Sequence, residues 1–415
     1  MSGAVAAHAA YNGSGTQGLA VTNKVDDTGD LMSVFWNKND TLRQLLYGSA
    51  FIEVPAEGGS GTNAVGASSN VQFEVNNDID CLGDLVLKVL YTDNSDTTPN
   101  TGRSELAGQK LASCINRVEV RVGTQIWQTI ENTDLLSLNA TELSPGAFAD
   151  YSYQTSAGDV YGEIGSNQVV AYIPLKVFTK TLLARLESFS EQTETGYLMG
   201  AAPHQHVKIK IFTDPEFTDS NSTGTPSTLS FNLYAKNQVM CNEEREQMKA
   251  MPMGLPKRVK MTQNKNVTSS ATGLNLEIDL DSFSLYTSHL LISFPSPSVA
   301  TQLLSGTAEL LLNSSSFSGK LPLGLLKITG PTMGLFTNAY TANNSDESLR
   351  DIFVFPLASQ AFGGSAVPLN RFDNIRLKLI VPSGTWSAGV GDINVTCVGE
   401  TTALYKGGAA SLAMY

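Results

Sequence analysis

The sequence predicts an all-β fold made of two tandem β-sandwiches, and three observations support this prediction. Apolar and polar residues alternate with a period of two in many short segments, which is the pattern of half-buried strands. Loops rich in Gly, Asn, Asp, Ser and Pro separate these segments, as they do in sandwiches and barrels. Four segments of the first half of the chain recur in the same order in the second half.

The alternating segments occur in both halves of the chain. In each of them apolar residues recur at every second position, so one face of the strand would be buried. Their sequences are VQFEV (71–75), DLVLKVLY (84–91), VEVRV (118–122), VKIKIF (207–212), LEIDL (276–280) and IRLKLIV (375–381).

The internal repeat is the basis for predicting two copies of one sandwich. A single match between two alternating strands carries little weight, because all such strands look alike. Four matches in one order indicate a duplication, and each copy would then hold about eight strands, as a jelly roll does. The matching pairs are 115–125 with 307–316, 169–178 with 349–360, 206–215 with 374–383, and 231–240 with 393–404.

The chain of 415 residues is too long for one typical core, which also favours two domains. Segment 238–256 lacks alternation and predicts a short helix or turn within a linker. The N-terminal part is rich in Gly and Ala, and it would either become ordered on assembly or remain a plain tail. We therefore expect a flexible segment at 1–30, a first jelly roll at 31–237, a helical linker at 238–262 and a second jelly roll at 263–415.

The composition of the chain limits which classes of partner it is expected to bind. The net charge of −12 argues against a surface that neutralises phosphate, so no direct nucleic acid partner is expected. The most basic stretch, PKRVKMTQNK (256–265), is interpreted as a solvated strand edge rather than a phosphate contact. The four cysteines form no CxxC motif and are expected to be buried free thiols. We expect neither a signal peptide nor a membrane span.

A search for catalytic or ligand-binding patterns yields no strong candidate. His204 and His206 form an HxH pair that would place two metal ligands on one strand face, but no carboxylate or cysteine follows nearby, so a surface pair is the preferred interpretation. No nucleophile elbow, P-loop or dinucleotide-binding loop is present. We therefore predict that the protein is not an enzyme, and we assign no catalytic, cofactor-binding or metal-binding residue.

Several N-x-S/T sequons provide candidate glycan sites. Many arise by chance in a chain rich in Asn, Ser and Thr, and secretory glycosylation is not expected without a signal peptide. Attachment of glycans by another pathway stays open. The candidates are Asn139, Asn221, Asn313 and Asn343.

Several stretches share order and local pattern with one protein family. Segment 115–130 resembles that family's V-E-x-x-I-G-G-Q strand and turn, with Gly123 and Gln125 kept. Segment 239–251 resembles its D-x-E-E-R-x-x-F linker, and the stretch RFDN resembles its F-S-R-I-D-N strand. The matching residues of the linker and of the strand are Glu243, Glu244, Arg245, Arg371, Asp373 and Asn374.

The family consists of the double jelly-roll major capsid proteins of nucleo-cytoplasmic large DNA viruses, including those of algae and protists. The resemblance covers residues 35–415, but the family's N-terminal N-P-x-x-T-F-F stretch is poorly matched by segment 41–54. It implies a homotrimer that forms a nearly hexagonal capsomer, contacts neighbouring capsomers and minor capsid proteins, and lies near an internal membrane. It also implies assembly in the host cytoplasm and residence in the icosahedral virion shell.

The alternative is a surface lectin or adhesin built from tandem β-sandwiches, which shares the Asn/Ser/Thr-rich loops but has no signal peptide or disulfide pattern in its favour. The capsid interpretation assigns a structural role to the RFDN cluster at 371–374. Arg371 and Asp373 are two residues apart at a strand entry, so we expect them to form a structural pair that ties loop backbone or a neighbouring subunit.

Overall fold

The structure is a computed structural model, and it describes residues 48–57, 61–75, 79–92, 111–148, 168–177, 197, 199, 202–217, 227–239, 255–269, 274–295, 300–336, 338, 340–341, 349–358, 366–385, 391–406 and 408–412. The predicted N-terminal segment 1–30 and residues 240–254 of the predicted linker lie outside this set, so the expected linker helix stays a prediction. The candidate residues that also lie outside it are Glu243, Glu244, Arg245, Asn221 and Asn343.

The first half of the chain forms nine strands and the helix α1 among the residues described. Its strands alternate as predicted; in the strand Val207–Thr213 every second residue is buried. The elements are β1 (Gly48–Val54), β2 (Thr62–Ala64), β3 (Asn70–Val75), β4 (Cys81–Thr92), β5 (Ile115–Val122), β6 (Gln125–Glu131), α1 (Asn132–Glu142), β7 (Gln168–Leu175), β8 (Val207–Thr213) and β9 (Thr228–Val239).

The second half repeats this order with additional short strands. A 3-10 turn at Leu369–Arg371 precedes its seventh principal strand. The elements are β10 (Leu255–Ser269), β11 (Leu274–Asp279), β12 (Tyr286–Pro295), α2 (Ala300–Leu304), β13 (Thr307–Leu312), β14 (Ser315–Ser316), β15 (Leu321–Pro322), α3 (Leu323–Thr332), β16 (Tyr340–Thr341), β17 (Leu349–Pro356), β18 (Val367–Pro368), β19 (Ile375–Val381), β20 (Gly391–Lys406) and β21 (Ala409–Leu412).

The two halves have the same sheet topology, and all strand pairs are antiparallel. The first half pairs its principal strands in the orders β1-β9-β4-β7 and β3-β8-β5-β6, and the second half in the orders β10-β20-β12-β17 and β11-β19-β13-β14. Each of these halves therefore contains eight principal strands in two sheets, which is a jelly roll. The predicted all-β fold of two tandem jelly rolls is confirmed.

The four repeated segments lie on equivalent strands of the two jelly rolls. They form β5 and β13, β7 and β17, β8 and β19, and β9 and β20, and each pair has the same position in its sheet. The order of the repeats in the sequence therefore corresponds to the duplicated topology.

Each jelly roll has an apolar core between its two sheets. In the second, Phe294 and Phe353 meet edge to face with ring centroids 5.6 Å apart. Both rings are fully buried, and such burial stabilises the fold by about 1.5–3 kcal/mol for each side chain. The described cysteines Cys81, Cys114 and Cys397 are buried free thiols, as predicted.

Strand β10 begins at Leu255, inside the range 238–262 that the sequence assigns to the linker. It starts there because β10 pairs with β20 over its whole length, from Leu255 opposite Tyr405 to Ser269 opposite Gly391. The basic stretch 256–265 is thus part of a paired strand. Its Lys260 is fully buried rather than solvated, which corrects the interpretation of this stretch as a solvated edge.

Two helices of ten or eleven residues, α1 and α3, occupy equivalent positions in the two jelly rolls. Helix α1 lies between β6 and β7, and helix α3 lies after β14 and β15 and before β16 and β17. None of the helices within the described part of the chain is long and apolar enough to cross a membrane.

Candidate assembly interface

The two jelly rolls meet along an extensive buried contact, which we call the junction. Helix α1 and strand β6 of the first jelly roll pack there against β10 and β20 of the second. Each sheet has one side that faces the core of its own jelly roll, and we call the opposite side the outer face of the sheet. At the junction, the first jelly roll covers the outer face of this sheet of the second. Apolar residues of this outer face join the core cluster of the first jelly roll, namely Leu291, Ile352, Val354 and Val398.

Helix α1 is buried at every position from Asp134 to Glu142. The backbone N–H of Glu131 donates to Asp134 Oδ2 at 3.3 Å, which satisfies one donor at the start of the helix. Such complete burial is typical of a helix that has protein on all sides. The second jelly roll supplies one of those sides.

An ion pair between Glu142 and Lys260 crosses the junction. Both side chains are buried, with 1% and 0% of their surface exposed. Lys176 Nζ lies 3.9 Å from Glu142 Oε2 and is itself 15% exposed. Burial lowers the pKa of Lys260, and the charge of Glu142 opposes that shift. The pair stabilises a charge that would otherwise be costly to bury.

A hydrogen-bonded chain of polar side chains joins the start of helix α1 to strand β20. Thr396 Oγ1 donates to Asp134 Oδ1 at 2.6 Å and is 2.8 Å from Asn394 Oδ1. Asn394 Nδ2 in turn donates to Thr133 Oγ1 at 2.6 Å. Burial raises the pKa of Asp134 to about 7 from its ordinary value of 3.8, and the hydrogen bond from Thr396 acts in the opposite direction.

Strand β6 contributes a second polar row to the junction. Gln128 Nε2 donates to Thr262 Oγ1 at 2.8 Å. Glu131 Oε2 accepts from Asn264 Nδ2 at 2.9 Å and from Asn266 Nδ2 at 3.0 Å. The even-numbered residues of β10 therefore form a ladder of polar contacts to the first jelly roll.

Backbone contacts fix the far end of helix α1. The Phe336 N–H donates to the carbonyl of Thr141 at 2.7 Å. Asn338 Nδ2 donates to the carbonyls of Ala140 and Leu143 at 2.9 and 3.0 Å. The segment that follows α3 thereby caps carbonyls that the end of an α-helix leaves without intrahelical partners.

Aromatic side chains form a third contact between the jelly rolls. The ring of Tyr197 lies 5.4 Å from that of Trp127 and 5.5 Å from that of Tyr405. Nearby, the His204 N–H donates to the carbonyl of Gly408 at 3.1 Å, and Gln205 Oε1 accepts from the Ala410 N–H at 2.7 Å. The C-terminal strand β21 is thus attached to the first jelly roll.

The sequence suggested no role for Asp134 or Glu142, and it indicated a solvated position for Lys260. Asp134, Glu142 and Lys260 are charged residues whose partners are more than one hundred positions away, as for Glu142 and Lys260. Local sequence contains no sign of such a partner. One feature could have indicated that these charges are buried, namely their unusual positions. Asp134 and Glu142 lie next to apolar helix residues, and Lys260 lies within a paired strand.

The RFDN cluster lies at the surface of the second jelly roll, away from the junction. Arg371 ends the 3-10 turn and Asp373 follows it, and both are exposed. In the described structure no ion pair joins the two side chains to each other, and their expected role in tying loop backbone or a neighbouring subunit stays a prediction. Arg371 lies in the 3-10 turn and Asp373 lies between this turn and β19, so both residues precede the strand.

Asn313 anchors the cluster instead. Its Oδ1 accepts from the backbone N–H groups of Asp373 and Asn374 at 3.0 and 3.2 Å. The Asn313 N–H donates to the carbonyl of Asn374 at 2.8 Å. Asn313 has a φ of 50° in the β13–β14 turn, a conformation that Asn adopts more readily than most residues. The cluster therefore ties loop backbone, through a side chain sixty residues away.

We expect Asn313→Ala to lower the free energy of unfolding by about 1–3 kcal/mol, because two backbone donors lose their acceptor. Asn313→Asp keeps an acceptor oxygen and removes the sequon, so it is the matched control and should be close to wild type. Urea denaturation of both variants measures the difference. Equal destabilisation by the two substitutions would contradict the anchoring role.

The structure also describes the candidate glycan site Asn139 and His206 of the HxH pair. Asn139 is fully buried in α1, and its Nδ2 donates to the carbonyl of Pro174 at 3.3 Å, so a glycan cannot reach it in the folded chain. His206 Nδ1 lies 2.8 Å from Glu74 Oε1 on the surface. In the described residues no group of three or more His, Cys, Asp or Glu side chains is arranged to hold a metal ion.

Comparison with solved structures identifies similar folds. The chain is similar to VP54 of PBCV-1, a structure fitted into a cryo-EM reconstruction of the virophage Sputnik, with a TM-score of 0.66, 14% identity, and coverage of 89% of this chain and 97% of that chain. It is similar to a chain of the PBCV-1 virus capsid, with a TM-score of 0.65, 15% identity, and coverage of 89% and 97%.

The Faustovirus major capsid protein is also similar, with a TM-score of 0.55, 9% identity, and coverage of 86% of this chain and 90% of that chain. No protein-family model and no curated protein sequence matches the chain. The similarity lies in the fold and extends over most of each chain. The chain therefore has the double jelly-roll fold found in viral major capsid proteins.

Proposed function

We propose that the chain is a structural major capsid protein that assembles into trimeric, pseudo-hexagonal capsomers and tiles an icosahedral virion shell. One observation carries the proposal: two jelly rolls joined by a buried junction, in an arrangement that matches VP54 over 97% of the length of VP54.

The chemistry of the junction supports this role. A shell tile needs a fixed relation between its two jelly rolls, since its edges must meet several neighbours at once. Buried charges and hydrogen bonds favour one arrangement, because most others would leave a charge such as that of Lys260 without its partner Glu142. The junction is thus suited to a rigid tile.

The proposed partners follow from this role. They are further copies of the chain in a homotrimer, neighbouring capsomers, minor capsid proteins and a nearby internal membrane. The net charge of −12 supports the absence of direct contact with nucleic acid. The proposed role is non-enzymatic and is exercised in the virion shell, after assembly in the host cytoplasm. No observation favours the lectin or adhesin alternative.

Light scattering coupled to size-exclusion chromatography tests the proposal. We expect a particle of three times the chain mass of 44.3 kDa that withstands dilution, because obligate interfaces commonly bury more than about 2,000 Å². Negative-stain electron microscopy of the same fraction should display blocks with nearly sixfold outlines. A stable monomer at all concentrations would overturn the proposal.

A further inference from the structure

Strand β21 belongs by its pairing to the second jelly roll. It pairs with the end of β20, from Ala403 opposite Leu412 to Lys406 opposite Ala409. Strand β10 pairs with β20 over its whole length, so β12 and β21 share the other edge of β20. The pairing with β12 stops at Glu400, and β21 takes the position beside β20 after that point. Strand β21 therefore extends this sheet at the end where β10 begins.

The apolar side chains around β21 are buried against the first jelly roll. Ala403, Tyr405 and Ala410 belong to the core cluster of the first jelly roll and are at most 3% exposed. The half-buried Leu412 packs against the core clusters of both jelly rolls. The ring of Tyr405 lies 5.5 Å from that of Tyr197 in the first jelly roll. Strand β21 is thus paired with one jelly roll and packed against the other.

Segment 202–206, which leads into β8, holds β21 on the first jelly roll. The His204 N–H donates to the carbonyl of Gly408 at 3.1 Å, and the Ala410 N–H donates to Gln205 Oε1 at 2.7 Å. Gly408 has a φ of 76°, and a Cβ at this position would lie 2.5 Å from His204 Cδ2. Glycine permits both this backbone conformation and the close approach of the ring. We call the contact between β21 and segment 202–206 the clip.

The clip consists of few contacts compared with the rest of the junction. Strand β21 has four residues, and in the described part of the chain it pairs with β20 alone, whereas β10 has fifteen paired residues. Ser411 of β21 is exposed to solvent between the buried Ala410 and the half-buried Leu412. Segments with few buried contacts open at a lower free energy than the whole chain. The clip can therefore open while both cores remain folded.

The position of the clip determines what it restrains. The polar ladder of β10 extends from Lys260 to Asn266, which is about 20 Å along the strand. The clip lies at the end of β20 that is opposite Leu255, and it lengthens the contact between the jelly rolls to about 35 Å. Contacts that are far apart along one strand restrain the angle between the jelly rolls more than the ladder alone does.

We propose that the clip opens and closes while both jelly rolls stay folded, and that the closed clip fixes the angle between the jelly rolls from which copies of the chain assemble. The assembly step of this inference rests on the proposed function, whereas the opening of the clip is a property of the single chain. With the clip open, the jelly rolls rock about the polar ladder of β10. Such a chain presents its edges to other copies at varying angles and assembles poorly.

Substitution of two adjacent residues of β21 tests the clip. Ala410→Glu places a charge in the core cluster of the first jelly roll, whereas Ser411→Glu places the same charge on the exposed face of the same strand. Ala410→Glu should accelerate amide hydrogen exchange in segment 202–206 and helix α1 at least about tenfold, because burial of an unpaired charge is costly. Exchange in β8 and β19 should stay within about twofold of wild type. Ser411→Glu is the matched control and should exchange as wild type does throughout.

A milder substitution tests the clip without adding a charge. Gln205 is half-buried, and Gln205→Ala removes the acceptor of the Ala410 N–H. Exchange of the peptide that contains Ala410 should accelerate about three- to tenfold, the range expected for the loss of one hydrogen bond. Gln205→Glu keeps an acceptor oxygen and should be close to wild type. Equal exchange of this peptide in Gln205→Ala and wild type would contradict the clip.

Light scattering of the same variants tests the assembly step. Ala410→Glu should be mainly monomeric at a concentration at which the wild type and Ser411→Glu are trimers. Exchange that accelerates equally in α1, β8 and β19, or nowhere, would show that β21 does not open separately and would overturn the inference. An Ala410→Glu chain that exchanges rapidly in α1 and still forms trimers would overturn the assembly step and leave the proposed function intact. A monomeric wild-type chain would overturn the proposed function together with the assembly step, and the exchange of segment 202–206 would decide the opening of the clip independently.

Discussion

Replacing Lys260 with Met is expected to lower the free energy of unfolding by about 3–5 kcal/mol, because it leaves the carboxylate of Glu142 buried without its main partner. Lys260 is fully buried and Glu142 is 1% exposed, so water cannot replace the lost charge. Lys176 Nζ, at 3.9 Å from Glu142 Oε2, offsets only part of the loss. Met preserves most of the apolar stem, so the effect isolates the charge.

The double variant Lys260→Met, Glu142→Met is the informative control. Both charges are then absent, and replacing a buried ion pair by apolar side chains is often nearly neutral. We expect the double variant to recover most of the stability that the single variant loses, in urea denaturation at fixed protein concentration. If the double variant is as unstable as the single one, the loss comes from packing and not from an isolated charge.

Because the Glu142–Lys260 pair lies at the junction, amide hydrogen exchange provides a second measurement of the effect of Lys260→Met. Glu142 ends helix α1 and Lys260 lies in β10, so the single variant should weaken the contact between the jelly rolls before either core unfolds. Amide hydrogen exchange should therefore accelerate in α1 and β10 more than in strands β8 and β19. Uniform acceleration over all strands would indicate that the pair stabilises the chain globally.

The fold was predictable from the sequence because the strand period directly encodes which side chains face the core. In β8, for example, Val207, Ile209 and Ile211 are buried while the lysines between them are not. The same period in equivalent segments revealed the duplication. The segment 206–215 and its counterpart 374–383 form equivalent strands in their sheets.

The junction was not predictable in the same way. The period of a strand predicts that one face is buried, but it does not reveal that the other face is covered by a second jelly roll. The sequence pattern therefore predicts that Lys260 is solvated, although it is fully buried. Helix α1 is buried on all sides, so its sequence has no amphipathic stripe to indicate a helix.

The anchoring of the RFDN cluster was predictable only in part. The sequence indicates a structural role for these residues, but the anchor is Asn313, which is sixty positions from Asp373. A contact from a side chain to distant backbone leaves no periodic trace in the sequence. Arg371 and Asp373, whose charges suggested a pair, are both exposed, and the backbone of Asp373 makes the contact.

The stability of the wild-type chain should depend on pH through Asp134 in a direction opposite to that of most carboxylates. Its pKa is raised to about 7 by burial, from an ordinary value of 3.8. Between these values the folded chain retains a proton that the unfolded chain has released. Stability therefore falls as pH rises through this window, by about 4 kcal/mol in total, and is constant above and below it.

His289 contributes the opposite slope. It is fully buried, and burial together with the charge of Lys260 lowers its pKa to about 3 from 6.5. Between these values the unfolded chain binds a proton that the folded chain does not, so stability rises as pH rises. The two contributions largely cancel in the wild-type chain from about pH 4 to 6.5.

The variant Asp134→Asn separates these two effects. Its amide oxygen still accepts from Thr396 Oγ1, and the loss of an acceptor for the Glu131 N–H costs about 1 kcal/mol independently of pH. The variant should become more stable as pH rises from 4 to 6.5, because the slope of His289 is no longer opposed. The difference in unfolding free energy between wild type and variant should therefore decrease steadily from pH 4 to 7 and stay constant above pH 8. Constancy of that difference across the whole range would mean that Asp134 is ionised in the folded chain at acidic pH, and that the junction encloses a charge rather than a protonated acid.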